Sequence, residues 1–327
     1  MKDNGFGEIQ AQLIERKRRL SDTLNSGKAA AGLAQLLIKV DAALERINIG
    51  SYGICEVCHE PIERDRLVAD PLVTFCLGDL DKTQQKLLED DLNLASKIQN
   101  KLLPENNIKH GGYEISYHYS PAGPVSGDYC DIVLSKNNSE GIFFILGDIT
   151  GKGIAASMLV SHLHALFHSL IDLNLPLVKL MKRANRLFCE SALYSHFVTL
   201  ICGKLNGGGE VEVCNAGHCL PILIRKDGIV PLDSNGLPLG LFHQSEYTVS
   251  KFYLDREESI FIYSDGLSEA RRDEEEFGVE RINRIASLNY YSRPVEIINY
   301  FKSSLNEFIG NSTGQDDLTL MSIKRME

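Results

Sequence analysis

The sequence predicts an α+β fold whose larger part is a layered domain of antiparallel β-sheets with helices outside. Beyond residue 110 short β-rich runs dominate, such as YEISYHYS, GIFFILGDI and ESIFIYSDG, separated by turns rich in Gly, Asn and Asp. Long helical stretches at about residues 155–173 and 176–193, and a further pair at 282–288 and 295–309, interrupt these runs. Strands outnumber helices and both are substantial, which favours layers of the two elements.

The first 80 residues have a different texture. Residues 8–48 carry two helical patterns separated by Asn25-Ser26-Gly27, so we expect an antiparallel helical hairpin. A compact segment with few strand signals, residues 52–79, follows and contains three cysteines. Because 327 residues exceed what one hydrophobic core usually organises, we expect two domains of unequal size.

A helix is predicted to join these two parts. Residues 80–103 have a helical pattern that ends at Pro104. One stripe has the spacing of a coiled-coil seam with one polar position, namely Leu88, Leu92, Ala95, Gln99 and Leu102. The second apolar stripe is Leu87, Leu94 and Ile98. We expect the seam to pack against the same helix of a second chain, giving a parallel homodimer, and the second stripe to dock on the β-rich domain. An ordinary amphipathic linker is the alternative.

The net charge and the composition exclude several classes of binding partner and location. The formal net charge of −10 disfavours nonspecific binding to nucleic acid or anionic lipid, because both need a basic surface. The N-terminus lacks the apolar run of a signal peptide, and no apolar stretch approaches the roughly 20 residues that span a bilayer. We therefore expect a cytoplasmic protein with no membrane and no direct nucleic-acid partner. In a reducing cytosol the five cysteines outside the N-terminal cluster are expected to be buried thiols.

Four aspartates stand where strands meet turns. They are Asp128 before YCDIV, Asp148 in IFFILGD, Asp265 after IFIYS and Asp316 before DLTLMSI. In a sheet-based fold their carboxylates can converge at one rim, and hard oxygen ligands of this kind suit Mg2+ or Mn2+. A single Asp-Gly is more often ordinary turn chemistry, but four acidic positions in this context favour a metal site.

A set of motifs extends this pattern. GPVSGDYCDIV, FILGDITGKGIAASML, VCNAGHCLPILI, FIYSDGLSEAR and GQDDLTLM occur in this order across about residues 108–327. The set resembles the metal-dependent serine/threonine phosphatases of the PPM superfamily, specifically the bacterial SpoIIE/RsbU branch. The resemblance implies an αββα sandwich, in which helices flank two antiparallel sheets, and two Mg2+ or Mn2+ ions per catalytic domain at one end of the sheets.

The resemblance also implies roles for particular residues. Asp148 should bridge both ions, and the backbone carbonyl of Ile149 should hold one of them. Asp265 and Asp316 should complete the other ion's ligands, while Asp128 should support the site directly or through water. Two divalent ions in such a site activate a water for attack on phosphorus, so no protein nucleophile is required.

Three further residues near these motifs are less sharply assigned. Asp317, next to Asp316, is the weaker candidate for a ligand. Lys152 stands where many relatives carry histidine, and its ammonium either binds the substrate phosphate or leaving group or is a solvated loop lysine. This replacement leaves the identity of a general acid open. His218 in the motif NAGH is expected to be structural, because the sequence gives it no catalytic geometry.

The N-terminal cysteines have a metal-ligand spacing. Cys55-Glu-Val-Cys58 is followed, after seventeen residues, by Cys76-Leu-Gly-Asp79. This nearly reproduces a zinc ribbon, with aspartate at the fourth position and His59 as a rival ligand. We expect one Zn2+ bound by Cys55, Cys58, Cys76 and either Asp79 or His59; a fold that persists without metal is the alternative.

Residues 38–76, IKVDAALERINIGSYGICEVCHEPIERDRLVADPLVTFC, are similar to the DksA/TraR family of zinc-finger proteins. That family enters the secondary channel of RNA polymerase and acts through acidic residues at a hairpin tip. Here the tip, residues 24–31, offers no carboxylate beyond nearby Asp22. This departure argues against RNA polymerase as a partner and favours a sensor or dimerisation module.

The sequence thus predicts three parts. They are a DksA/TraR-like hairpin and zinc-finger module at 1–80, a linker or switch helix at 81–107 and a SpoIIE-type phosphatase domain at 108–327. The predicted function is hydrolysis of phosphoserine or phosphothreonine on a regulatory partner, by resemblance a STAS-type anti-sigma-factor antagonist. The alternative is a DksA/TraR-like transcription regulator that uses the phosphatase fold as a scaffold, but such a protein should have lost at least one acidic ligand, and none is lost.

Overall fold

The computed structural model describes residues 6–25, 31–79, 82–135, 141–191, 196–234, 236–310 and 316–326. For residues 8, 22–25, 31, 32, 34, 79 and 82–85 only the backbone is described. The chain divides into two compact units, Met1–Asp91 and Leu92–Glu327. The division falls inside one long helix, and the three-part arrangement of 1–80, 81–107 and 108–327 stays a prediction.

Helices and strands alternate in blocks along the described chain. The helices are α1 (Gly7–Asn25), α2 (Ala31–Asn48), α3 (Arg64–Ala69), α4 (Lys82–Leu102), α5 (Ile154–Ile171), α6 (Leu177–Ser191), α7 (Asp265–Ser268), α8 (Gly278–Leu288) and α9 (Pro294–Ile309). The strands are β1 (Ile108–His110), β2 (Tyr113–Ser120), β3 (Asp128–Leu134), β4 (Ile142–Ile149), β5 (Val198–Leu205), β6 (Glu210–Ala216), β7 (Ile222–Arg225), β8 (Gly228–Pro231), β9 (Ser250–Tyr253), β10 (Ser259–Tyr263), β11 (Arg271–Arg272), β12 (Glu275–Glu276) and β13 (Leu318–Arg325). The first two long helices of the larger unit, α5 and α6, match their predicted ranges to within two residues at each end.

Two sheets form the centre of the larger unit. A six-stranded sheet has the order β1-β2-β13-β10-β7-β8, and a five-stranded sheet has the order β3-β4-β5-β6-β9. Neighbouring strands in both sheets run antiparallel. The short strands β11 and β12 pair only with each other. The sequence prediction of antiparallel sheets is therefore confirmed.

Both faces of each sheet are buried. Cys130 and Phe144 of the five-stranded sheet share a core with Met321 of the six-stranded sheet. Helices α5 and α6 cover the other face of the five-stranded sheet, and α8 and α9 cover that of the six-stranded sheet. On the latter face Phe261 stacks on Phe301 with ring centroids 4.1 Å apart, and each such buried side chain contributes about 2–3 kcal/mol. The order of layers is the αββα sandwich that the motifs implied, so that prediction is confirmed.

Helix α5 is long and apolar enough to cross a membrane by length and composition. Eight of its eighteen residues are buried, and seven of these, including Leu163 and Phe167, belong to the core beneath the five-stranded sheet. A core helix of a layered domain has this composition because it packs against an apolar sheet face. Its hydrophobicity is thus explained by packing inside the domain.

The smaller unit is built around a pair of helices. Leu13 of α1 and Val40 of α2 share one core, which also contains Tyr52, Cys55 and Cys76. The hydroxyl of Tyr52 donates a hydrogen bond to the carbonyl of Pro71 at 2.9 Å and so ties the cysteine-bearing segment together. The predicted helical hairpin is present, whereas the part of the tip at residues 26–30 and the side chain of Asp22 lie outside the described residues.

The two stripes of α4 lie the other way round from the prediction. Leu94 and Ile98, expected to dock on the β-rich domain, expose 57% and 49% of their surface. Gln99, expected in the seam between two chains, exposes only 5%. The docking assignment is therefore wrong. The stripe that contains Gln99 faces the β-rich domain because the Gln99 amide forms hydrogen bonds with the loop before β3, as described below.

Candidate metal centre

The strand register places two of the predicted aspartates side by side. Asp128, the first residue of β3, is the direct partner of Asp148 near the end of β4. Thr319, on β13 of the other sheet, donates a hydrogen bond from its hydroxyl to Asp128 Oδ2. Both carboxylates therefore lie on the face of the five-stranded sheet that looks toward the six-stranded sheet.

The other two aspartates leave the six-stranded sheet at one end. Asp265 follows β10 and begins α7, and Asp316 precedes β13, which pairs with β10. Burial, followed by the negative charges of Asp265 and Asp316, raises the pKa of Asp148 to about 7. Burial and the charge of Asp148 raise the pKa of Asp128 well above its ordinary value. The structure therefore brings together all four aspartates that the sequence singled out.

Asp317 differs from the adjacent Asp316 in that its carboxylate binds backbone N–H groups. Its two carboxylate oxygens accept the backbone N–H groups of Ala122, at 2.7 Å, and Gly127, at 2.9 Å. It thereby fixes the loop that leads into Asp128. With both oxygens engaged in this way, Asp317 is a poorer ligand candidate than Asp316, as the sequence suggested.

Two glycines allow the backbone to approach the carboxylates closely. A Cβ at Gly127 would lie 3.1 Å from the carbonyl oxygen of Ile149 and 3.4 Å from Asp148 Oδ1. A Cβ at Gly266 would lie 2.0 Å from the carbonyl oxygen of Asp317, which no side chain allows. The carbonyl of Ile149, predicted as a ligand, thus lies beside Gly127 and near the Asp148 carboxylate.

Lys152 lies at the rim of this cluster. Its Nζ is 3.0 Å from Asp316 Oδ1, and both side chains are substantially exposed. The hydrogen bond to Asp316 raises the pKa of Lys152, so the ammonium stays charged at neutral pH. Of the two alternatives left open by the sequence, a solvated loop lysine and a phosphate-binding one, this position is compatible with the second.

Hydrogen bonds to one ring nitrogen and to the backbone hold His218 in place. Its Nδ1 lies 2.8 Å from the hydroxyl of Thr199, and the Asn215 side chain accepts its backbone N–H at 2.8 Å and donates to its carbonyl at 3.1 Å. Burial lowers the pKa of His218 to about 4, so the ring is neutral at physiological pH. This geometry agrees with the structural role expected from the sequence.

Gln99 makes a contact with Ser126 that the sequence did not reveal. Its Nε2 donates to the carbonyl of Ser126 at 2.7 Å, and its Oε1 accepts the N–H of Ser126 at 3.0 Å. The side chain pairs with this backbone unit as a neighbouring strand would. Helix α4 is therefore fixed to the segment two residues before Asp128.

The donor set fits a divalent cation. Four carboxylates converge in a partly buried space, and each one disfavours the charge of the next. Mg2+ and Mn2+ prefer oxygen ligands of this kind and remove the repulsion between them. Asp128, Asp148, Asp265 and Asp316, with the carbonyl of Ile149, are the residues able to hold such ions.

A groove of about 570 Å3 adjoins Asp265 and Asp316. Basic groups, Arg271 and Lys302, and an apolar group, Leu305, are part of its lining. Cationic and apolar side chains beside a carboxylate cluster suit a phosphorylated peptide segment better than a bare phosphate ion.

The cysteine cluster lies in the smaller unit. The ligand atoms of Cys55, Cys58 and Cys76 all lie within 4.8 Å of one another, and the sulfurs of Cys58 and Cys76 are 3.5 Å apart. Three converging thiols fit Zn2+. The side chain of Asp79 lies outside the described residues, and His59, which is exposed, is not part of this group.

A second mixed cluster, Asp131 with His164 and His168, lies on the outer face of the five-stranded sheet. Sequence reasoning did not find it. The spacing of four residues between the two histidines in a predicted helix was the available signal, because such residues share a helix face.

The αββα fold, with an aspartate cluster at one end of its sheets, is the fold of PP2C-type phosphatases. The SiaA-PP2C domain of Pseudomonas aeruginosa has this fold, with a TM-score of 0.64 and 17% identity, over 74% of this chain and 98% of the domain. The chain belongs to the family of Stage II sporulation protein E (SpoIIE), whose model matches residues 138–326. The prokaryotic dksA/traR C4-type zinc finger matches residues 50–78, which contain Cys55, Cys58 and Cys76; Asp79 follows directly after this range.

Two curated relatives extend the likeness beyond the family match. Protein IcfG of Synechocystis is 25% identical over 265 residues, which are 72% of this chain and 41% of IcfG. The phosphoserine phosphatase RsbU of Bacillus subtilis is 24% identical over 244 residues, which are 74% of this chain and 72% of RsbU. The chain thus spans less than half of IcfG and nearly three quarters of RsbU.

Proposed function

We propose that this protein is a metal-dependent protein serine/threonine phosphatase that hydrolyses phosphoserine or phosphothreonine on a regulatory partner protein in bacterial signalling. The convergence of Asp128, Asp148, Asp265 and Asp316 at one end of the sheets carries the proposal. The likeness to the phosphoserine phosphatase RsbU supports it.

In this proposal the aspartates hold two Mg2+ or Mn2+ ions. Asp148, the carbonyl of Ile149, Asp265 and Asp316 would be the groups that hold these ions. Asp128, which accepts a hydrogen bond from Thr319, supports the site. When bound, such ions lower the pKa of a water and neutralise the phosphoryl oxygens.

The surrounding residues bind and orient the phosphorylated segment. Lys152, held charged beside Asp316, attracts the phosphate. Arg271 and Lys302 in the adjoining groove interact with acidic or carbonyl groups of the flanking peptide, and Leu305 contacts its apolar side chains. Asp317 keeps the loop before Asp128 in place and thus acts on position rather than on substrate.

The decisive experiment measures phosphatase activity with Mn2+ titrated. Asp148→Asn and Asp265→Asn should each lower kcat/KM by more than about a hundredfold, because an amide carries no charge to hold the ions. The control is Asp227→Asn in the exposed β7–β8 turn, which should turn over like the wild type. Wild-type turnover by either active-site variant at low Mn2+, with unchanged thermal stability, would refute the assignment.

The partner and the location follow from the same reasoning. We propose a STAS-type anti-sigma-factor antagonist as the phosphoprotein and the cytoplasm as the location, with no membrane and no nucleic acid involved. The net charge of −10 supports the last two points. A scaffold without activity is the less favoured function, since the complete aspartate set is present.

The N-terminal module is proposed to bind one Zn2+ through Cys55, Cys58 and Cys76, with Asp79 or His59 as the fourth ligand. Helix α4 is proposed to couple this module to the metal centre and to form a homodimer. Since Leu94 and Ile98 are the exposed stripe, the dimer would use that face of α4 rather than the stripe of Gln99.

A further inference from the structure

A second group of metal-ligand side chains lies behind the five-stranded sheet. Asp131 alternates along β3 with Cys130 and Ile132, which belong to the core between the sheets, so its side chain lies on the opposite face, toward α5. His164 and His168 of α5 face it. The Nε2 atom of His168 is 2.8 Å from Asp131 Oδ2, and the Nδ1 atom of His164 is 3.2 Å from the same oxygen.

We propose that Asp131, His164 and His168 form a binding site for a divalent transition metal, with Zn2+ as the ion that fits best. Two imidazoles and one carboxylate are three protein ligands, which leaves a fourth position for water. The two histidines stand one helical turn apart on α5, an arrangement that lets both rings reach one ion. Nothing in the proposed phosphatase reaction requires this site.

The distances between the ligand atoms suit such an ion. Two ligands that each lie about 2.0 Å from a tetrahedral zinc are about 3.3 Å apart. The observed separations from Asp131 Oδ2, 2.8 Å to His168 and 3.2 Å to His164, are close to this edge length. Since the three ligand atoms all lie within 4.8 Å of one another, small rotations of the rings bring them to tetrahedral positions.

Hydrogen bonds from neighbouring groups hold the Asp131 carboxylate in one orientation, as is common for metal ligands. Asp131 Oδ1 accepts the N–H of Ile132 at 2.8 Å, and Oδ2 accepts the hydroxyl of Tyr129 at 2.8 Å. Hydrogen bonds of this kind orient ligating carboxylates and raise metal affinity. Asp131 is 3% exposed, so its orientation does not change with solvent.

The two imidazoles lie close enough to share one cation. Their ring centroids are 4.1 Å apart, so a single ion can be reached by both rings. Within the described part of the chain, the buried Nδ1 of His164 has no hydrogen-bond partner, although Asp131 lies nearby. One metal ion satisfies this nitrogen and the second ring at the same time.

Access to the site is open on one side. The His164 and His168 side chains are 23% and 43% exposed, in contrast to the buried Asp131. An ion can therefore enter from solvent and keep a water ligand. Bound there, it joins β3 to α5 and should stabilise the outer layer of the sandwich, because it binds only the folded arrangement.

The test uses the full chain, stripped with a chelator and then equilibrated with Zn2+. The double variant His164→Gln/His168→Gln should bind one zinc ion fewer per chain than the wild type and should lose part of the zinc-induced rise in Tm. The matched control is His162→Gln on the same helix, whose ring instead contacts the Ser191 hydroxyl at 2.7 Å. It should keep the wild-type zinc content.

Titration with Co2+ separates this site from the cysteines, because only thiolate ligands give strong charge-transfer absorption with cobalt. The double variant should keep the thiolate band and lose one bound Co2+. Should the double variant fail to fold, His168→Gln alone, at the more exposed position, replaces it. Equal zinc content in wild type and variant, or unchanged His164 and His168 ring NMR signals on zinc addition, would overturn the proposal and leave a hydrogen-bonded Asp–His cluster.

Discussion

Asp128 and Asp131 are three residues apart on β3, yet they have opposite electrostatic surroundings. Burial and the neighbouring charge of Asp148 raise the pKa of Asp128 well above its ordinary value. Burial would also raise the pKa of Asp131, but the polar contacts from His164, His168 and Tyr129 outweigh it and lower that pKa to about 2. Both carboxylates are almost fully buried, so burial alone does not decide the charge state; the groups facing each carboxylate do.

Side chains alternate between the two faces of a β-strand, which explains how β3 places one aspartate in each environment. Residues at odd separation point to opposite faces, so Asp128 looks toward the other sheet and Asp131 toward α5. On the inner face the charged neighbours of Asp128 are further carboxylates, and an added cation offsets their repulsion. On the outer face the protein supplies nitrogen groups of its own. The comparison predicts that the same substitution at the two positions has different consequences.

The largest expected difference is in stability. In metal-free protein at pH 7, Asp131→Asn should lower the free energy of unfolding of the larger unit by about 2–3 kcal/mol, because a buried anion is lost from its donors. Asp128→Asn should leave this free energy unchanged or raise it, because it removes a buried carboxyl group whose charged form is disfavoured beside Asp148. Urea unfolding in the presence of a chelator measures both.

Each variant is the other's control, since both replace a buried carboxyl group of the same strand by an amide. Equal losses of stability in the two variants would mean that the hydrogen bonds around Asp131 and the repulsion around Asp128 do not differ as described. Addition of Mn2+ should then stabilise the wild type more than Asp128→Asn, because the ion compensates the repulsion only where the charge is present.

A smaller effect concerns His218, a buried base on the inner side of the five-stranded sheet. Burial lowers its pKa to about 4, against about 6.5 in the unfolded chain. Below pH 6.5 the unfolded chain binds a proton that the folded protein does not, so stability falls as pH falls, by up to about 1.4 kcal/mol per pH unit, until pH 4. Above pH 6.5 the ring is neutral in both states and contributes no pH dependence.

Unfolding measured from pH 7 to pH 4.5 checks this. His218→Gln should flatten the decline, while the exposed His243→Gln should not change it. The half-buried His118, whose pKa burial also lowers to about 4, contributes in the same window in all three proteins and cancels in the comparison. Asp131 does not interfere, because a lowered carboxylate pKa loses its stabilisation only as pH falls below about 3.9 toward 2. Identical slopes for wild type and His218→Gln would contradict the assigned burial effect.

The sequence was most informative where chemistry and local pattern coincide. The four aspartates could be selected because each stands at the end or beginning of an apolar run, and such positions converge at one edge of a sheet sandwich. The helices α5 and α6 were placed accurately because their apolar spacing is regular. Local pattern therefore predicted the α+β fold class and singled out the four aspartates, one of which, Asp128, lies on the inner face of β3.

What the sequence missed depends on contacts between distant segments. The pairing of Gln99 with the backbone of Ser126 leaves no trace in the spacing of α4, so Gln99 was placed between two chains. The Asp131 cluster requires that β3 lie against α5, which only the assembled layers reveal. A polar residue within an apolar stripe indicates that a partner exists but not which one.

The smallest expected effect tests whether α4 acts on the inner face through Gln99. Since its amide is paired with the backbone of Ser126, two residues before Asp128, Gln99→Ala should loosen this segment and lower turnover by about three- to tenfold, or about 1 kcal/mol. It should not change oligomeric state, because Gln99 is buried in its own unit.

The proposed dimer face instead carries Leu94, so Leu94→Asp should weaken association measured by light scattering and change turnover through the same helix. The exposed Asn100→Ser, on a side of α4 away from Leu94 and Ile98, serves as the control that alters neither property. A wild-type protein that is monomeric at micromolar concentration, together with full turnover of Gln99→Ala, would show that α4 is an ordinary linker and that the inner face is organised by the sheets alone.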